Sequence, residues 1–190
     1  FFFIILSISF LMTETYSWED GGTLLGSYGN ISNPENVGAT EGVTPYDGSY
    51  MLKVSENPVD GTPQAYIAWV TDLNSGDEVT ACFYGYDTTT GGSPSMRVYG
   101  GWSSNDDITS YAGSAGGPTG TDGYTGGTPE EPWSQVCYTF STSHENWSEG
   151  EALVVQARLY TSSSASSQDF FIDLVSVETT STTATIHFPG

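Results

Sequence analysis

Turn-forming residues interrupt this chain so often that only short extended segments fit between them. Asp20-Gly21-Gly22, Asp47-Gly48, Asn57-Pro58, Asn74-Ser75-Gly76-Asp77 and Asp87-Thr88-Thr89-Thr90-Gly91-Gly92 all favour tight turns. Between them lie runs rich in Val, Ile, Tyr, Phe and Thr, and no window is amphipathic at helical spacing. Eight strands are expected: Tyr16–Glu19, Ser49–Val54, Gln64–Val70, Val79–Tyr86, Ser95–Trp102, Trp133–Phe140, Ala152–Tyr160 and Phe170–Val177. Strands at this spacing predict an all-β fold, a two-sheet antiparallel β-sandwich with jelly-roll topology. With 190 residues, one such domain can bury a substantial core. The Gly-, Ser- and Thr-rich stretch from Ser103 to Glu131 is expected to be a long loop folded over one face or rim.

Residues two apart on a strand share a face, so each run can be split into two surfaces. On Ala152–Tyr160, Leu153, Val155, Ala157 and Leu159 form an apolar face, while Gln156, Arg158 and Tyr160 share the other with Val154. On Ser95–Trp102, Met96 and Val98 oppose Arg97 and Tyr99. On Val79–Tyr86, Cys82, Tyr84 and Tyr86 oppose Val79, Ala81 and Phe83. The chain's only two arginines thus fall in matching Arg-x-Tyr frames, Arg97-Val98-Tyr99 and Arg158-Leu159-Tyr160. Aromatic rings can cover the apolar patches of a sugar, and Arg and Gln can bond its hydroxyls. The candidate ligand face is therefore Arg97, Tyr99, Arg158, Tyr160, Gln156, Tyr84, Tyr86 and Trp102, with Trp69 and Trp133 as further stacking platforms. The same pairs would also serve as packing on a solvated sheet.

Charge narrows the partners. Three basic residues stand against 23 acidic ones, a net charge of −20, which repels nucleic acid and anionic membranes. Neutral or weakly charged glycans and divalent cations remain. No Ser-His-Asp arrangement, zinc-ligand spacing or phosphate-cradling loop is present, and a non-catalytic protein is expected.

Residues 1–17 begin with the apolar run FFFIILSISFLM, expected to be the remnant of a secretory leader or an N-terminal apolar packing segment. The run is too short for a stable membrane span. Export agrees with the sequons at Asn30 and Asn146 and with Cys82 and Cys137, which form either a disulfide or two buried thiols. The domain proper is expected over residues 18–178, followed by a Thr-rich tail or last strand over 179–190.

Four segments together resemble the galactose-binding-like jelly rolls of carbohydrate-binding modules in families four, six, nine and twenty-two. They are Trp18-Glu19-Asp20-Gly21, the strand entry from Asp47-Gly48-Ser49-Tyr50 to Val54, the Leu73–Ala81 entry to a central strand, and Phe170-Phe171-Ile172-Asp173-Leu174-Val175-Ser176-Val177. Leu174 departs from that pattern, since a second Asp is common there. The resemblance implies a secreted or cell-surface carbohydrate-binding or adhesion module with a structural calcium held by Glu19 and Asp173, with Asp47 as an extra ligand. Alternatively, these acids accept backbone hydrogen bonds. Two other functions stay open. One is a filament or surface-layer subunit that self-assembles through the apolar N-terminal segment. The other is a jelly-roll polysaccharide lyase using Arg97, Tyr99, Gln156 and Tyr160.

Overall fold

The alternating runs pair into two antiparallel sheets in the computed structural model, which describes residues 11–161 and 167–190. In chain order the strands are β1 (Met12–Tyr16), β2 (Gly26–Tyr28), β3 (Ile31–Val37), β4 (Met51–Glu56), β5 (Gln64–Thr71) and β6 (Glu78–Tyr86). They continue with β7 (Ser95–Ser104), β8 (Gly113–Gly116), β9 (Trp133–Ser141), β10 (Glu151–Tyr160), β11 (Gln168–Thr179) and β12 (Thr185–His187). Sheet one runs β3-β4-β11-β6-β9 with β1 beside β11; sheet two runs β12-β5-β10-β7-β8 with β2 beside β5. This is the expected two-sheet β-sandwich of jelly-roll type.

The inner faces meet in one apolar core. Sheet one contributes residues such as Leu52, Val54, Ala81, Phe83, Ile172 and Val177, and sheet two contributes Ile67, Met96, Val98, Leu153, Val155 and Leu159. Burial alternates along β6 in step with the sequence, so the parity assignment holds there. On β11 it does not stay constant. A bulge between Asp173 and Ser176 inserts an extra residue, and Leu174 takes the left-handed conformation (φ 42°). Ile172 before the bulge and Val175 after it are therefore both buried, which strict alternation would forbid.

The chain ends differ from the expectation. Residues 12–16, assigned to the leader or apolar segment, form β1 in register with β11 from Met12↔Thr179 to Tyr16↔Val175. The expected strand Tyr16–Glu19 is instead the end of β1 followed by a turn, with Trp18 at φ 59° and its ring buried in the core. Residues 1–10, where the rest of the leader expectation falls, lie outside the described residues. The tail supplies β12, which pairs with β5. Part of the long loop is also ordered into β8 and a 3-10 turn at Thr121–Gly123. Among the described residues no helix is long and apolar enough to cross a membrane.

Candidate functional site

Two rows of side chains cross the outer face of sheet two. Antiparallel register aligns Tyr28 with Gln64, Gln64 with Arg158, and Arg158 with Arg97. The next row aligns Gly26, Tyr66, Gln156 and Tyr99 in the same strands. Tyr66 and Gln64 sit two apart on β5, as Arg158 and Gln156 do on β10, so each strand offers the row a polar and an aromatic or amide group.

Gln64 and Arg158 from the first row and Tyr66, Gln156 and Tyr99 from the second line a cleft of about 560 Å³, a size suited to a small ligand. Tyr28 and Tyr111 rise at its sides, 65 % and 73 % exposed. Gln156 lies at the bottom, only 4 % exposed. Gly101 on β7 keeps the floor low, because a Cβ there would lie 3.0 Å from Gln156 Nε2 and 3.7 Å from the Tyr111 ring. Tyr99 shares a hydrogen bond of 2.9 Å with Ser114 on β8, which holds its ring at the cleft wall. Burial raises the Tyr66 hydroxyl above its ordinary pKa, with Tyr28 and Tyr111 adding to the effect, so the ring presents a neutral phenol.

The two arginines share this sheet but do different jobs. Arg158 lines the cleft, with its guanidinium 4.4 Å from the Tyr99 ring centre and Nη2 donating to Thr62 Oγ1 at 2.6 Å. Arg97 points away from it, 3.8 Å from the Tyr124 ring centre and 5.0 Å from that of Tyr160. Its Nη1 donates to the Pro118 carbonyl at 2.7 Å, tying down the loop after β8. Tyr160 packs edge-on to Tyr124, and burial raises its hydroxyl pKa against the lowering influence of both arginines.

Three of the expected face residues lie elsewhere. Tyr84 and Tyr86 point outward from sheet one, the opposite side of the sandwich. Tyr84 stacks on Tyr46 at 3.6 Å, and Tyr86 packs against Trp133 and Phe171. Parity along β6 puts them outward but says nothing about which sheet β6 joins. Trp102 is 1 % exposed in the core, on the Met96 and Val98 side of β7. Trp69 donates to Ser103 beside His187, and Trp133 donates to the Thr44 carbonyl, so neither lines the cleft. Sequence reasoning did not bring Tyr28, Gln64, Tyr66 and Tyr111 together with Gln156 and Arg158, as this cleft does. The Gln64-x-Tyr66 frame on a strand was the available signal.

Cys82 and Cys137 are joined by a disulfide across adjacent strands β6 and β9. Of the expected metal ligands, Asp173 is fully buried at the β11 bulge. Its Oδ2 accepts the N–H groups of Tyr46 (2.8 Å) and Asp47 (3.0 Å), and its Oδ1 accepts that of Leu174 (2.7 Å). Glu19 Oε1 accepts the N–H groups of Ser49 (2.7 Å) and Tyr50 (2.9 Å). Both carboxylates thus hold the loop between β3 and β4 through its backbone. Amide protons present positive charge, the wrong polarity to line a cation site, and calcium prefers several free oxygens. Among the described residues no three Asp, Glu, His or Cys side chains converge as a metal site. The backbone hydrogen bonds engage both oxygens of Asp173 and Oε1 of Glu19.

No protein-family model and no curated protein matches the chain. Its fold is similar to that of the CBM22-1 xylan-binding domain of Xyn10C from Paenibacillus barcinonensis, with a TM-score of 0.51 and 12 % identity over 88 % of this chain and 93 % of that one. It is also similar to the Stig cyclase Fisc from Fischerella sp. TAU, solved in complex with (3Z)-3-(1-methyl-2-pyrrolidinylidene)-3H-indole. There the TM-score is 0.50 and the identity 10 %, over 92 % of this chain and 91 % of that one. At such identities the likeness shows the fold, a scaffold that carries unrelated functions.

Proposed function

We propose that this domain is a non-catalytic glycan-binding module whose site is the cleft on the outer face of sheet two. The observation that carries this reading is the pairing of exposed Tyr28 and Tyr111 with the planar hydrogen-bonding groups of Gln64, Gln156 and Arg158 around one concave floor. Tyrosine rings cover the C–H faces of a sugar, while amide and guanidinium groups bond its hydroxyls. A xylan-binding domain of similar fold is compatible with this use of the scaffold. The lyase alternative is less well served, because neither His144 nor His187 lines the cleft and Arg97 faces away from it.

The disulfide supports work in an oxidising compartment, at the cell surface or beyond it. Exposed Asn146 is the better placed of the two sequons for a glycan, whereas Asn30 is half-buried beside Asn57. Direct hydrogen bonding replaces calcium at Glu19 and Asp173 in this reading. Self-assembly through the N-terminal apolar segment is left to measurement of the oligomeric state.

Glycan-array binding followed by calorimetry tests the site. Tyr66→Ala and Gln156→Ala should each weaken binding of the best glycan about tenfold or more, by losing a stacking ring or leaving sugar hydroxyls unbonded. Unchanged binding in both variants would place the site elsewhere.

A further inference from the structure

The charge inside the cleft is opposite to that of the protein around it. Among the described residues Arg158 is the one charged residue that lines it, in a chain with 23 acidic residues and a net charge of −20. Two other clefts, of about 410 and 210 Å³, do carry carboxylates: Glu41, Asp87 and Asp169 in one, Glu35 and Asp169 in the other. Lys53 forms ion pairs with Glu41 and Asp169. By contrast, among the described residues Arg158 has no carboxylate within 4.0 Å and one hydrogen-bond partner, Thr62, while its Nε is buried without any.

The Tyr99 and Tyr160 ring centres lie 4.4 and 5.8 Å from this guanidinium and support it beside the cleft. With Nε buried and one Nη2 donor on Thr62, the Nη groups carry the remaining donors, and the fork of Arg can offer a carboxylate two bonds from that end. The surrounding field sets a limit on how much negative charge the ligand carries, since a net charge of −20 repels a densely charged polymer.

We infer that the cleft selects a glycan bearing isolated carboxylates, a uronic acid on an otherwise neutral chain, with that carboxylate on Arg158. The uronic acid occupies the Gln64–Arg158 row, and neutral sugar lies over the Tyr66–Gln156 row. This rests on the glycan-binding reading above and gives it a substrate class.

The test uses matched sets of oligosaccharides on several backbones: neutral, uronic-acid-bearing, the same molecule with its carboxyl reduced to an alcohol, and a monosulfated form. The uronic-acid form should bind about tenfold tighter than its carboxyl-reduced form, the contribution of a charge-assisted hydrogen bond. Arg158→Gln should bring that ratio to about one, with neutral binding itself weakened by the lost bonds to sugar hydroxyls, and Arg158→Lys should keep part of the ratio. Equal binding of the acid and its reduced form overturns the inference and leaves the glycan reading standing, as does a ratio retained in Arg158→Gln. Monosulfated sugar bound as tightly as the uronic acid overturns the choice of carboxylate. If no member of any set binds, both the inference and the glycan reading fail. Comparing the acid with its reduced form needs no variant, so a folding defect in Arg158→Gln does not protect the idea.

Discussion

Arg97 and Arg158 face each other directly across the β7–β10 ladder, and each guanidinium lies over the tyrosine of the other's Arg-x-Tyr frame. Antiparallel pairing makes this interlock automatic: with the arginines opposed, each tyrosine is diagonal to the partner strand's arginine, within reach of a long side chain. Two like charges placed opposite each other are unfavourable. The tyrosine faces, the Pro118 carbonyl and the Thr62 hydroxyl compensate for that repulsion.

The interlock separates the two arginines by role. Arg97→Ala removes the tie to Pro118 and the contacts with Tyr124 and Tyr160, and should lower stability by about 1–2 kcal/mol. Urea denaturation measures the loss, and faster amide exchange over residues 117–125 should accompany it. Glycan affinity should stay near wild type, because Arg97 is outside the cleft.

Adjacent glycines on β7 should respond in opposite ways. Gly100 faces the core, where an added Cβ would fall 2.4 Å from the Phe140 ring, so Gly100→Ala should cost about 1–3 kcal/mol through overpacking. Gly101 faces the cleft, so Gly101→Val should fold yet bind glycan more weakly by filling the floor beside Gln156. Thermal melts paired with calorimetry distinguish the two, and the same effect from both would count against the cleft floor.

The Cys82–Cys137 bond closes a separation of 55 residues between β6 and β9, the latter at the edge of sheet one. Replacing both cysteines by Ala should destabilise the fold by roughly 3–4 kcal/mol, chiefly by freeing the unfolded chain. Chemical denaturation of the double variant checks this, and a change below about 1 kcal/mol would show that the edge is held without it.

Burial lifts the Asp173 carboxyl from 3.8 to about 6, outweighing the backbone N–H groups that favour its charged form. Because the folded chain holds this proton more tightly, the group brings no penalty below about 3.8. Stability then falls as pH rises from there to about 6, and the full penalty, on the order of 3 kcal/mol, applies above it. The Asp173 carboxyl carbon should titrate near 6 by NMR. A midpoint at or below about 4 would mean that the amides outweigh burial.

Metal removal tests the loop clamp. If Glu19 and Asp173 hold Ser49, Tyr50, Tyr46 and Asp47 directly, chelator should leave the melting temperature unchanged and added calcium should not raise it. A chelator-dependent drop reversed by calcium would restore the ion to this site.

Much of the fold was legible from spacing alone. Side-chain direction along a strand has a period of two residues, which is a local property. Seven of the eight expected segments coincide with strands, and parity put Gln156 with Arg158 on one face of β10 and Arg97 with Tyr99 on one face of β7. The same parity, applied to the end of β7, would have put Trp102 in the core with Met96 and Val98 instead of on the expected ligand face. Short strands with weak patterns, such as β2 and β8, carry too few alternating residues to announce themselves.

The sequence by itself thus determined where seven of the longer strands lie, which residues share a face along an unbroken strand, and the one pairing open to its two cysteines. Only the tertiary structure decided which sheet each strand joins, and so moved Tyr84 and Tyr86 away from the arginines. It also aligned Tyr28, Gln64 and Arg158 in one row and reversed the parity of β11 at Leu174. Strand pairing and register depend on contacts between segments far apart in the chain, and no local period encodes them.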